Sequence, residues 1–264
     1  MKIGFIGLGN MAKAIIGGML SKGIVKKEDI LGSAKTKETL LAVQETYGIQ
    51  TAEDNREVAG SADVLILAVK PQFFGEVIAE IRDEVNADAL VISIAAGKTM
   101  AEIEALFGRK IKLVRCMPNT PALVGEGCTG MCRNEEVSEE EMALCRRLMG
   151  SFGVAQEVTE RLIDAVAGVS GCSPAYVFLF MEALADGAVA AGMPRKQAYT
   201  FAAQAVLGSA KLMLETGKHP GELKDMVCSP AGTTIEGVRV LEERGFRAAV
   251  MDAVKATVDK SQSM

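Results

Sequence analysis

Residues 7–12 read Gly7-Leu8-Gly9-Asn10-Met11-Ala12 and follow at once on the apolar run Ile3-Gly4-Phe5-Ile6. A strand that passes through Gly-x-Gly-x-x-Ala into a helix has few other folds open to it. Gly7 permits the tight turn, Gly9 lets backbone approach a pyrophosphate, and Ala12 allows close helix packing, while the free amides of the helix start face the anion. A glycine-rich turn without a ligand is the bland alternative, and the setting at the head of an alternating chain disfavours it.

The same alternation continues to about residue 157. Lys2–Ile6, Ile30–Ala34, Val64–Val69, Leu90–Ile94 and Ile111–Cys116 are apolar enough to be strands buried on both faces. Helices fit between them at Met11–Lys22, Lys37–Tyr47, Phe73–Val85 and Thr99–Phe107. This order predicts a doubly wound parallel sheet of Rossmann type, completed by a strand near Cys128–Cys132 and a helix over Ser138–Met149. At 264 residues, and with roughly 100–200 residues per domain, a second domain is expected.

Beyond about Arg161 the strands stop. Alanine, leucine, methionine and glycine dominate long helical runs, so the division expected is 1–157 for the dinucleotide-binding domain and 158–264 for an all-helical domain. Ser173-Pro174 opens a helix that Gly192 and Pro194 close; another runs from about Arg195 to Glu215, with shorter ones after His219-Pro220 and Gly232. The first carries apolar or small residues on nearly every face, which solvent does not tolerate. A second copy in two-fold symmetry is the expected cover, with the central helix of a monomeric bundle as the alternative.

A formal charge of -5 and a pI near 5.2 supply no basic field for nucleic acid or anionic lipid. Six cysteines with no Cys-x-x-Cys pair, and a single histidine, His219, fit neither a zinc site nor a disulfide framework. They read as small hydrophobes in a reducing, cytoplasmic setting. The N-terminus lacks the long apolar stretch of a signal peptide. Glu182 and Asp186 interrupt the most apolar later stretch, so no membrane span of about 20 apolar residues is expected.

An NAD site normally has an acid at the end of the second strand, about 20 residues past the glycines. Here that end reads Gly32-Ser33-Ala34-Lys35-Thr36-Lys37, and Asp29 precedes the strand. A hydroxyl beside two lysines suits a 2′-phosphate, so NADPH is the expected cofactor, with NADH as the alternative. Lys35 and Lys37 merely solvating a helix start is the competing reading.

Five segments together resemble the pyrroline-5-carboxylate reductase family: Ile6 to Met11, Ala68-Val69-Lys70-Pro71-Gln72, Ser93 to Gly97, Met117-Pro118-Asn119-Thr120-Pro121-Ala122, and Ser229-Pro230-Ala231-Gly232-Thr233-Thr234-Ile235. They occur in order over nearly the whole chain. The resemblance implies reduction of Δ1-pyrroline-5-carboxylate to proline, a two-domain subunit, an interleaved homodimer, and often a larger ring of dimers. To Gly7, Leu8, Gly9, Asn10 and Met11 of the glycine turn and to Ser33 and Lys35 after the second strand it adds Asn55, Ala68, Val69, Lys70, Pro71, Ala95, Ala96 and Gly97 at the cofactor. Met117–Ala122, with two prolines next to a strand end, is expected to wall the nicotinamide pocket, a rigid turn without ligand contact being the alternative. Ser229, Gly232, Thr233 and Thr234 would take the substrate carboxylate, with Thr234 beside the imine nitrogen. Ordinary capping of the next helix by threonine is the reading that the residues alone favour.

Two places depart from the family pattern. Ser170-Gly171-Cys172-Ser173-Pro174-Ala175-Tyr176 stands where Ser-Gly-Ser-Gly-Pro-Ala-Tyr is usual, and Ala231 stands where glycine is common. The rival family of β-hydroxyacid dehydrogenases, similar in plan, uses a lysine and an asparagine on the helix that here reads Ala175 to Glu182 and has neither. A silent NADPH-binding sensor is the rival from outside enzymes, and turnover separates the two.

Overall fold

The computed structural model describes residues 1–263 and divides into two compact units, Met1–Cys172 with Thr257–Met264, and Ser173–Ala256. The first unit is built on one eight-stranded sheet: β1 (Ile3–Ile6), β2 (Ile30–Ser33), β3 (Gln50–Ala52), β4 (Val64–Leu67), β5 (Leu90–Ser93), β6 (Lys112–Met117), β7 (Gly127–Arg133) and β8 (Gly153–Glu157). Its order is β3-β2-β1-β4-β5-β6-β7-β8. Ile3 of β1 lies between Ile30 and Val64 in parallel register on either side.

Helices cover both faces: α1 (Asn10–Ser21), α2 (Lys37–Tyr47), α3 (Asn55–Ser61), α4 (Phe74–Ile81), α5 (Met100–Phe107), α6 (Glu139–Met149) and the short α7 (Ile163–Val166). Because successive strand residues point to opposite faces, β4 feeds two cores at once. Val64 and Ile66 join Ile15, Ile16 and Leu148 on one side, and Leu65 and Leu67 join Val58, Phe74 and Ile103 on the other.

The sheet departs from the expectation of parallel strands at one place: β7 runs antiparallel to β6, with Met117 opposite Gly130. β3 and β8 were not anticipated, and both are edge strands. β3 is three residues long with Gln50 exposed, and Val154 of β8 is 53% exposed, so neither has the apolar density of a buried strand.

The two units divide at Cys172/Ser173, whereas the change of texture in the sequence falls near residue 157. A buried cation explains the difference. Arg115 of β6, 4% exposed, pairs with Glu160 at 3.1 Å and reaches Asp164 at 3.9 Å. This holds 160–164 against the sheet, and the Ser261 hydroxyl, donating to Asp164 at 2.7 Å, brings the C-terminal residues along. A π-helical turn, Ala167–Gly171, closes the first unit.

The second unit is helical throughout: α8 (Ser173–Ala190), α9 (Arg195–Thr216), α10 (Pro220–Val227), α11 (Thr233–Glu243) and most of α12 (Phe246–Gln262), which is far longer than the short final helices expected. Among its described residues only Ala185, Ala198 and Ala202 are buried, where α8 and α9 pack closely through small side chains. Phe178, Leu179, Phe201 and Leu214 are exposed. A unit this size with so little core does not sustain itself alone.

Within the helical stretch Glu160–Ala190 an 18-residue window reaches a mean hydropathy of 1.5, so by length and composition alone this stretch could cross a membrane.

Candidate functional site

Strand order reverses between β1 and β4, and a cleft opens at the carboxyl ends of the strands there, the usual place for a nucleotide in such sheets. Gly7 makes the turn with φ +95°, and a Cβ on it would lie 2.7 Å from the carbonyl oxygen of Ala68. Gly9 is the N-cap of α1 and supplies no side chain to the free amides of the first turn. No protein atom lies within 4 Å of where its Cβ would stand. The fold makes no demand for glycine at this position, whereas a pyrophosphate against the helix start does.

The cleft encloses about 700 Å³. Of the expected cofactor residues, Gly7, Leu8, Gly9, Asn10, Met11, Lys35, Ala68, Val69, Lys70, Pro71, Ala95 and Ala96 line it. Ser33, Asn55 and Gly97 do not. Ser33 is buried and donates its hydroxyl to the Asn55 amide oxygen at 2.7 Å, and Asn55 donates in turn to Glu80 at 2.8 Å. The Ser33 hydroxyl thus ties the end of β2 to the start of α3.

Lys13, Lys35 and Lys70 line the cleft, and no carboxylate does among the described residues. None of the three has a carboxylate partner there, whereas Lys37 is held by Glu53 at 3.0 Å. Lys35 sits with its Nζ 5.4 Å from the centroid of Phe73. The sequence reading missed Lys13, Thr39, Phe73 and Leu123. Lys13 was findable, since it lies one helical turn past Gly9 and so on the face above the glycine turn.

The turn after β6 carries Thr120 to the cleft. Asn119 fixes it from behind: buried, it accepts the Cys128 amide at 2.8 Å and donates to the Ser170 carbonyl at 3.0 Å. Nearby, Cys116 and Cys145 are buried with sulfurs 3.9 Å apart, and Cys132 is buried as well. Burial raises the Cys116 thiol far above its ordinary range, and Cys132 is pushed up to about 12, by burial first and then by the Glu160 charge. These thiols are packing groups.

In the second unit, residues 228–232 form the turn between α10 and α11. Gly232 amide donates to the Ser229 carbonyl at 3.0 Å, and a Cβ on Gly232 would meet the Ser229 Oγ at 2.3 Å. Ala231 has φ +55°, the one non-glycine residue with positive φ among the described residues. Departure from glycine there leaves the left-handed conformation in place and adds strain to it. Gly232 is the N-cap of α11, and no side chain caps the helix. Thr233 and Thr234 fall on the first helical turn, so capping by threonine is excluded and the amides and the Thr234 hydroxyl stay uncommitted.

Residues 160–264 match the family model for pyrroline-5-carboxylate reductase dimerisation, and residues 2–97 match that for NADP oxidoreductase, coenzyme F420-dependent. The chain is 52% identical to the pyrroline-5-carboxylate reductase of Escherichia coli K12 over 263 residues, covering all of this chain and 98% of that one. The chain belongs to the pyrroline-5-carboxylate reductase family. The Methanosarcina acetivorans member is 45% identical, covering all of this chain and 97% of its own. A pyrroline-5-carboxylate reductase structure from Coxiella burnetii superposes with a TM-score of 0.93 at 37% identity, covering 99% and 97% of the two chains. That of Plasmodium falciparum, with NADP bound, gives 0.90 at 33% identity over 100% and 97%. The match of residues 160–264 to a dimerisation model makes the helical second unit a dimerisation domain, which accounts for its uncovered apolar faces.

Proposed function

We propose that this chain reduces Δ1-pyrroline-5-carboxylate to L-proline with NADPH, NADH serving less well. The cleft carries this reading: a glycine cradle at the α1 N-terminus, three lysines without carboxylate partners, and no acid among its described lining residues. A dinucleotide with an additional phosphate fits that chemistry.

When bound, the nicotinamide supplies the hydride. The chain's own residues bind and orient. The first amides of α1 hold the pyrophosphate, Lys35 meets the 2′-phosphate, and the turn at Asn119 and Thr120 borders the nicotinamide. At the start of α11 the free amides, with Ser229, Gly232 and Thr233, take the substrate carboxylate. Thr234 directs its hydroxyl to the ring nitrogen. Hydride adds to the carbon of the C=N bond, whose π electrons pass to nitrogen. An imine that is already protonated becomes the secondary amine without further proton transfer, so Thr234 has only to orient it.

The apolar faces of α8 and α9 are covered by a second copy rather than by lipid, and such dimers assemble into a larger ring. The enzyme works as a soluble cytoplasmic reductase. Consumption of NADPH, followed by its absorbance with pyrroline-5-carboxylate present, tests the activity; no turnover overturns it and leaves a binding protein. Equal or better kcat/KM with NADH overturns the cofactor assignment. Sedimentation without detergent tests the assembly, and a monomer at micromolar concentration overturns it.

A further inference from the structure

We infer that Phe73 is a positioning residue for cofactor choice: its ring holds Lys35 where a 2′-phosphate is read. The inference rests on the NADPH reading above. Phe73 and Phe74 are neighbours with opposite fates. Phe74 is buried at the start of α4, whereas Phe73 ends the turn Pro71–Phe73 at 39% exposure and lines the cleft. A bond from the Phe73 amide to the Lys70 carbonyl, 3.0 Å, fixes the turn. A large apolar side chain kept at the rim of a polar cleft, beside one that is fully buried, calls for an explanation other than packing.

Lys35 supplies it. Its Nζ lies 5.4 Å from the Phe73 centroid, within the range where a cation is attracted to the ring face. The two reach the cleft from different segments, Lys35 from the turn after β2 and Phe73 from the turn between β4 and α4. Lys37 is instead paired with Glu53 on the exposed surface. Of the three cleft lysines, Lys35 alone rests on an aromatic ring among the described residues. An ammonium on a four-carbon stem is otherwise spread over many rotamers. The ring narrows that spread without neutralising the charge, as a carboxylate would, and leaves it available to an incoming phosphate.

The test measures KM and kcat with NADPH and NADH, and Kd for 2′,5′-ADP and 5′-AMP, in Phe73→Ala, Phe73→Tyr, Lys35→Ala and the double variant. Phe73→Ala is expected to raise the KM for NADPH and the Kd for 2′,5′-ADP by about two- to fivefold, the range of an exposed cation–π contact. The changes with NADH and 5′-AMP should be smaller than those with NADPH and 2′,5′-ADP, and Phe73→Tyr should keep the parent values. In the Lys35→Ala background the ring should add nothing to the NADPH/NADH ratio. Equal losses for both cofactors would make Phe73 a surface for adenine and overturn the inference. So would an undiminished ring effect without Lys35. If Lys35→Ala leaves the ratio unchanged, the 2′-phosphate reading itself fails; if Lys35→Ala shifts it and Phe73→Ala does not, only the role of Phe73 fails.

Discussion

Asn119 donates its side-chain amide to the Ser170 carbonyl across 3.0 Å, joining the turn after β6 to the π-helical turn that closes the first unit. Its amide oxygen accepts the Cys128 amide at the same time, so one buried side chain fixes three segments.

Asn119→Leu keeps the approximate shape and removes both bonds. Each stranded backbone group costs about 1–3 kcal/mol. Denaturant unfolding should show a loss of that order, and the KM for NADPH should rise because Thr120, on the same turn, borders the cleft. Unchanged stability together with an unchanged KM would show that the turn holds without the clamp.

Gly7 and Gly9 should answer the same substitution differently. Alanine at Gly7 meets the Ala68 carbonyl at 2.7 Å with an unfavourable φ, so Gly7→Ala should lower the melting temperature and cofactor affinity together. Alanine at Gly9 meets no protein atom within 4 Å. Gly9→Ala should therefore melt like the parent while its Kd for NADPH rises about tenfold or more, some 1.4 kcal/mol. A destabilised Gly9→Ala would move the requirement for glycine from the cofactor to the fold.

What was legible in the sequence follows burial. β1, β4 and β5 are buried on both faces and read as unbroken apolar runs, whereas β3 and β8 at the sheet edges have no such run to read. The same holds in the site. Gly7, which the backbone requires, and Gly9, which it does not, both announce themselves by residue type. Ser33 and Asn55 did not reveal that they satisfy one another, because that bond joins residues 22 apart and depends on strand register. Phe73 gave no signal because a phenylalanine at a helix start reads as core, which is the fate of Phe74. The Arg115 pairings that hold 160–164 to the sheet are likewise invisible to a change of composition.

α5 carries a pH-sensitive cap. Thr99 Oγ accepts the Glu102 amide at 3.2 Å, and the Glu102 carboxylate accepts the Thr99 amide at 2.8 Å. The Thr99 backbone bond, then its hydroxyl, hold the Glu102 carboxyl below its ordinary value of 4.5. A depressed carboxyl contributes stability that is present above the unfolded value and is lost as pH falls through the folded one. Denaturation midpoints should therefore fall more steeply below about pH 4.5 in the parent than in Glu102→Gln, which keeps an acceptor without the charge. Identical acid limbs would remove Glu102 from the pH dependence.

Thr234 can be examined without the ambiguity that capping would bring. Gly232 occupies the N-cap of α11 and no side chain caps that helix, so removing the Thr234 hydroxyl breaks no bond on which the helix relies. Thr234→Val retains shape and removes the hydroxyl; Thr234→Ser retains the hydroxyl. If the hydroxyl orients the imine nitrogen, the serine variant should keep most activity and the valine variant should lose about tenfold or more in kcat/KM, equivalent to at least ~1.4 kcal/mol of transition-state stabilisation. Loss of a true cap would instead cost about 0.5–2 kcal/mol of stability with turnover intact. Melting temperature and kcat/KM measured on one valine preparation separate the two, and the structure leads us to expect an unchanged melt with a slow enzyme. A valine variant of full specific activity would remove Thr234 from the mechanism and leave the uncapped amides of α11 as the loop's proposed contribution.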